Sequence, residues 1–116
     1  GDAAPKDIGG VSLIARTVSG VSGKELGALA DQMRQQLGSG AVLVMAEDGG
    51  KATVAATVTP DLSDRISAVA MVQAAVAALG GKGGGGRPDR AQGGAPSLEQ
   101  ADAAVAAVET LIAGAA

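Results

Sequence analysis

The sequence predicts a small α/β (α+β) domain: three helices packed on a mixed sheet of about three to four strands, in the order β-α-β-β-α-loop-α. Three observations predict it. Runs rich in β-branched residues alternate with stretches whose apolar residues recur every three or four positions. Helix-start motifs stand in front of those stretches. The 116 residues are a single-domain length, enough for one modest core.

Residues 1–9, with Pro5 and the Gly9-Gly10 pair at their end, read as a linker leading in from an upstream segment, and 10–116 as the domain proper. Val11 to Val18 reads as a strand. Ser22-Gly23-Lys24-Glu25 has the S-x-x-E form of a capping box, and behind it Leu26, Leu29, Ala30, Met33 and Leu37 share one helix face. Gly38-Ser39-Gly40 ends that helix. Ala41–Glu47 and Lys51–Val58 read as strands joined by the hairpin turn Asp48-Gly49-Gly50. Pro60 stops the second strand, and Asp61 or Ser63 caps a helix running to about Leu79. Its expected stripe is Leu62, Ile66, Val69, Ala70, Gln73, Val76 and Ala77. Residues 80–95 read as a glycine-rich loop. A last, alanine-rich helix starts at Pro96-Ser97-Leu98-Glu99 and buries Leu98, Ala101, Val105, Val108 and Ile112. Alanine favours helix but buries little area, so this helix is expected to dock least firmly.

Composition removes much chemistry. The chain has no cysteine and no histidine, which excludes a disulfide, a thiolate nucleophile, a Cys- or His-ligated zinc and a Ser-His-Asp triad. It has no aromatic residue, so the core is aliphatic and Met33, Met45 and Met71 fill it. No apolar run is long enough for a membrane span, and no signal peptide opens the chain. Beginning with Gly1-Asp2, it reads as a piece of a longer protein. A net charge of −3 is the wrong sign for a globally basic nucleic-acid binder, so any such binding needs a local basic patch.

The run from Gly80 to Gly94 is where such a patch can lie. Lys82, Arg87 and Arg90 are interleaved with glycines 83 to 86, and Gln92 follows. Bare backbone N–H groups and cations together suit a polyanion, and Gln92 suits a base edge. A plain linker between helices is the bland alternative, but it gains nothing from such closely packed charge. Gly81-x-Gly83-x-x-Gly86 matches the dinucleotide fingerprint only formally, because a helix rather than a strand precedes it. A Walker motif is excluded because Gly83 follows Lys82. Asp61, Asp64 and Arg65 read as a capped, solvated helix start rather than as a catalytic pair, with Arg65 a secondary candidate contact. No catalytic or metal-binding residues are expected.

Gly-Gly-Lys-Gly-Gly-Gly-Gly-Arg-Pro-Asp-Arg-Ala-Gln-Gly-Gly over 80–94, closed by an alanine-rich helix, resembles the signature that ends the C-terminal domain of bacterial alanyl-tRNA synthetases. Ser19-Gly20-Val21, Gln36-Leu37-Gly38-Ser39-Gly40 and Thr59-Pro60-Asp61-Leu62-Ser63-Asp64-Arg65 extend the resemblance over about residues 8 to 112. The resemblance implies an α/β module related to the accessory domain of DHH-type phosphoesterases. It implies contact with the outer corner of tRNA, where the D and T loops meet, in support of aminoacylation and editing by upstream domains of the same chain. It further implies a cytoplasmic parent enzyme, alanine–tRNA ligase, using ATP, Mg and Zn, with no cofactor in this piece and a homodimer in some members. Lys82, Gly83, Gly84, Gly85, Gly86, Arg87, Arg90 and Gln92 would then touch tRNA, with Arg65 as a weaker contact. Three departures stand out: one extra glycine before Arg87-Pro88-Asp89, Arg90 where an apolar residue is common, and Ser67 where a lysine is common. Two alternatives remain: an accessory domain of a phosphoesterase, whose glycines a histidine would follow where Arg87 stands, and a structural dimerisation module.

Overall fold

The computed structural model describes residues 6–48, 50–81 and 83–115. Its elements are β1 (Lys6–Ile8), β2 (Val11–Ser19), α1 (Gly23–Leu37), β3 (Ala41–Asp48), β4 (Lys51–Val58), α2 (Ala68–Ala78), β5 (Gly83–Arg87), β6 (Arg90–Ala95) and α3 (Ala101–Ala115). The strands form one sheet in the order β1-β2-β3-β4-β6-β5. Strands β2 and β3 are parallel, joined by the crossover through α1, and every other pair is antiparallel. A parallel pair requires such a crossover, and a helix is its usual form.

The expected class holds, with more strands than the sequence suggests. Lys6–Ile8, read above as the end of a linker, pair with β2 through the register Ile8↔Val11. Gly9 and Gly10 make the tight turn, both with positive φ, a conformation that glycine adopts without penalty. Residues 1–5 lie outside the described residues.

The period-two pattern of β3 and β4 divides two cores between the faces of the sheet. Val42, Val44, Ala46 and Ala55 lie under Leu26, Ala30 and Met33 of α1. Leu43, Met45, Val54, Ala56 and Val58 lie on the face covered by α2 and α3, with α3 packed against α2 and reaching β1 and β2. Met45 and Met71 are wholly buried. Helix α1 starts with the Ser22 half of the capping box: Ser22 Oγ accepts from the Glu25 N–H at 3.3 Å, while Glu25 Oε1 accepts from the Ser22 hydroxyl at 3.1 Å rather than from its N–H. Strands β3 and β4 close on Asp48↔Lys51, with Gly50 at φ +83. Gly49, the other expected turn residue, lies outside the described residues.

Three further elements differ from expectation. Residues 60–66 form turns, and α2 begins later, at Ala68, where Ser67 Oγ accepts from the Ala70 N–H at 3.4 Å. Ser67, standing where a lysine is common, is therefore a helix cap. The late start rotates the buried stripe to Ala68, Met71, Val72, Ala75 and Val76, leaving Gln73 and Ala77 exposed. Leu62 and Ile66 are still buried, but from the turns. Helix α3 also begins later than expected, at Ala101, so Leu98 precedes it; Ala104, Val108 and Ile112 are buried, and Leu98, Ala101 and Val105 only partly.

Candidate functional site

The third difference is the site itself. The stretch expected as a loop over 80–95 is a β-hairpin, its arms β5 and β6 joined through Pro88-Asp89, with Arg87 opposite Arg90. Two-residue hairpins favour turns with positive φ, yet neither Pro88 nor Asp89 has one. The tip is held from outside instead. Pro88 O accepts from the Ala68 N–H at 2.7 Å, and Asp89 O accepts from the Val58 N–H at 2.9 Å. Strand β6 pairs along β4 from Ala52↔Ala95 to Thr57↔Arg90, which draws the glycine arms into the sheet despite glycine's poor strand propensity.

Register decides which face each residue takes. Gln92 pairs with Ala55 and Arg90 with Thr57, so both side chains lie on the α1 face. Gly85 and Arg87, opposite Gln92 and Arg90, share that face. Gly84, Gly86, Ala91 and Gly93 take the other; Gly84 and Gly93 meet α2 there, while the Gly86 main chain also borders the α1 side. A Cβ at Gly93 would come within 2.7 Å of Val72 Cγ1, and one at Gly84 within 2.9 Å of the same atom. These glycines let α2 press onto the hairpin. Gly85 is different: a Cβ there would meet nothing within 4 Å, and its φ is not in the left-handed region.

On the α1 face, the hairpin and the start of α1 enclose an open cleft of about 590 Å³. Gly23, Lys24 and Gly27 of α1 form one wall, and Gly85, Gly86, Arg87, Arg90 and Gln92 line the other. Two arginines directly opposite one another repel, and each has a counter-ion. Arg90 Nη1 lies 2.9 Å from Asp31 Oδ2, whose other oxygen is 3.8 Å from Arg34 Nη2, and Arg87 Nε lies 3.7 Å from Asp89 Oδ1. Arg87 remains 72% exposed and Arg90 46%. Gln92 Nε2 donates to Gly23 O at 2.6 Å.

The structure thus brings together Gly85, Gly86, Arg87, Arg90 and Gln92. Gly83 lies instead in a second groove of about 740 Å³, beside Lys51, Thr53, Gly81 and Pro96, and Gly84 faces α2. Arg65 is exposed in the turns before α2 and does not line the cleft. Lys82 lies outside the described residues. Sequence reading missed Lys24 and Gly27, because nothing in the chain order signals that β6 folds back across the first helix. Among the described residues no cluster of three or more acidic side chains could hold a metal ion, and no helix is long and apolar enough to cross a membrane.

Similar proteins carry the same module. Over 108 residues the chain is 73% identical to the alanine–tRNA ligase of Paracoccus denitrificans, and over 109 residues 59% identical to that of Cereibacter sphaeroides strain ATCC 17025. These matches take in 93% and 94% of this chain but 12% of each relative. Among solved structures, the C-Ala domain of alanyl-tRNA synthetase from Aquifex aeolicus superposes with a TM-score of 0.89 at 29% identity, over 96% of this chain and 99% of that one. The model of the DHHA1 domain matches residues 10–114, nearly the whole of the sheet and all three helices, and the chain belongs to that family.

Proposed function

We propose that this chain is the tRNA-binding domain of an alanyl-tRNA synthetase, and that the cleft between α1 and the glycine hairpin holds the tRNA backbone at the corner where the D and T loops meet. One observation carries the reading. Gly85 is bare with neither a steric neighbour nor a strained φ to explain it, and Arg87, Arg90 and Lys24 stand around it. A glycine without a structural reason, ringed by cations, suits close approach of a phosphate to the main chain. Relatives named as alanine–tRNA ligases support the assignment. The upstream catalytic and editing domains would use ATP, Mg and Zn in the cytoplasm, and this domain would keep the tRNA in place for both. Lys82 and the neighbouring glycines would extend the contact, with Arg65 at its margin.

Titration at low salt with alanine tRNA, an unrelated tRNA and single-stranded DNA tests this. Binding of both tRNAs is expected, because the corner is shared among tRNAs. Affinity should fall with added salt by a slope of about −0.7 to −0.9 per phosphate contact. Arg87→Ala and Lys82→Ala should each weaken binding about three- to tenfold. No binding by the wild type at micromolar concentrations, or binding by both variants as tight as that of the wild type, overturns the assignment.

A further inference from the structure

Gly27 occupies an interior position of α1, where alanine is the better helix former. Its φ is not in the left-handed region, so its backbone does not demand glycine. What lies over it does. A Cβ at position 27 would come within 2.9 Å of Gln92 Nε2 and 3.4 Å of Arg90 Nη2. Gly23, Gly27 and Asp31 are four residues apart along the helix and so share one face. Gln92 is tied to the first of them through Gly23 O, at 2.6 Å, and Arg90 to the last through Asp31, at 2.9 Å. Both β6 side chains thus lie across the helix over the notch at Gly27.

We propose that Gly27 is a positioning residue for RNA contact: a bare step in α1 that lets Arg90 and Gln92 lie flat and keeps their unused donors along the cleft wall. The inference rests on the reading of the cleft as an RNA surface. Arginine and glutamine lose much rotamer freedom when they are fixed, and a side chain already held before binding spares that loss at the moment of binding. Asp31 engages one end of a guanidinium with five donors, and the others remain for a phosphate. The atoms that a methyl group would meet are the far ends of two flexible side chains. Gly27→Ala therefore displaces those ends while the backbone stays in place, and it adds a better helix former. Stability and binding should separate.

The test uses one tRNA transcript at low salt, with four proteins: wild type, Gly27→Ala, Arg90→Ala/Gln92→Ala, and the three substitutions together. Thermal unfolding of each is recorded alongside. Gly27→Ala is expected to melt within about 3 °C of wild type and to bind about three- to tenfold more weakly. In the Arg90→Ala/Gln92→Ala background, where Arg87 and Lys82 still support binding, Gly27→Ala should have no further effect, because the side chains it acts through are gone. Wild-type binding by Gly27→Ala, or the same loss in both backgrounds, overturns the inference while leaving the RNA surface standing. Wild-type binding by Arg90→Ala/Gln92→Ala instead removes these two residues from the RNA surface, and the inference with them.

Discussion

Gly85 and Gly93 are the same residue type, opposed in what they do. Gly93 makes room for α2: a Cβ there would approach Val72 Cγ1 to 2.7 Å and Val76 Cγ2 to 3.0 Å. Gly85 makes room for nothing in this molecule. Gly93→Ala should therefore lose about 1–3 kcal/mol of stability through overpacking, whereas Gly85→Ala should stay within about 0.5 kcal/mol of wild type while binding tRNA more weakly. Denaturant melts paired with a tRNA titration separate the two, and a large stability loss in Gly85→Ala would overturn the reading of that position. None of this was visible in the run itself, where four consecutive glycines look alike. Only the pairing register separates Gly84, against α2, from Gly85, at the cleft.

At the level of elements, the sequence named β3, β4 and α1 correctly because their signals are local: largely apolar, β-branched runs, a glycine turn and a capping box. The hairpin was hidden because glycine carries no strand preference, and what makes it a strand lies elsewhere in the chain, in β4 and at the start of α2. A sign was present in the two arms of matched length on either side of Pro88-Asp89. Connections between elements also carry charge. Ser39 Oγ donates to Asp61 Oδ2 at 2.6 Å, tying the α1–β3 turn to the turns after β4. That bond, then a second from Thr59, holds the Asp61 carboxyl below its ordinary value of 3.8. A carboxylate whose folded pKa is depressed adds stability above the unfolded pKa and loses it as pH falls through the folded one. Asp61→Asn should thus melt below wild type at neutral pH, with the difference closing below about pH 4. A gap that persists to about pH 2 would mean that ionisation is not the cause.

Across the whole molecule, an aliphatic core without a single aromatic ring is divided by the sheet into an α1 side and a side covered by α2 and α3 together. Class and approximate order could be read from the sequence because burial on both faces leaves β3 and β4 almost wholly apolar. The cleft could not, since it is made where residues 23–27 meet residues 85–92 and no local pattern reports that meeting. Its cations Arg87 and Arg90 were picked out from chain chemistry, and its helical wall was not. Gly93 and Val72 show what such distant meetings do to the way this sequence can change over time. The two positions share one space, so Val72→Ala and Gly93→Ala, each harmful alone, should cost less together than their sum by about 1 kcal/mol in a double-mutant cycle; strict additivity would refute it. A side chain at position 93 is accommodated more cheaply once the one at position 72 has shrunk, so the order of the two steps changes the cost of each.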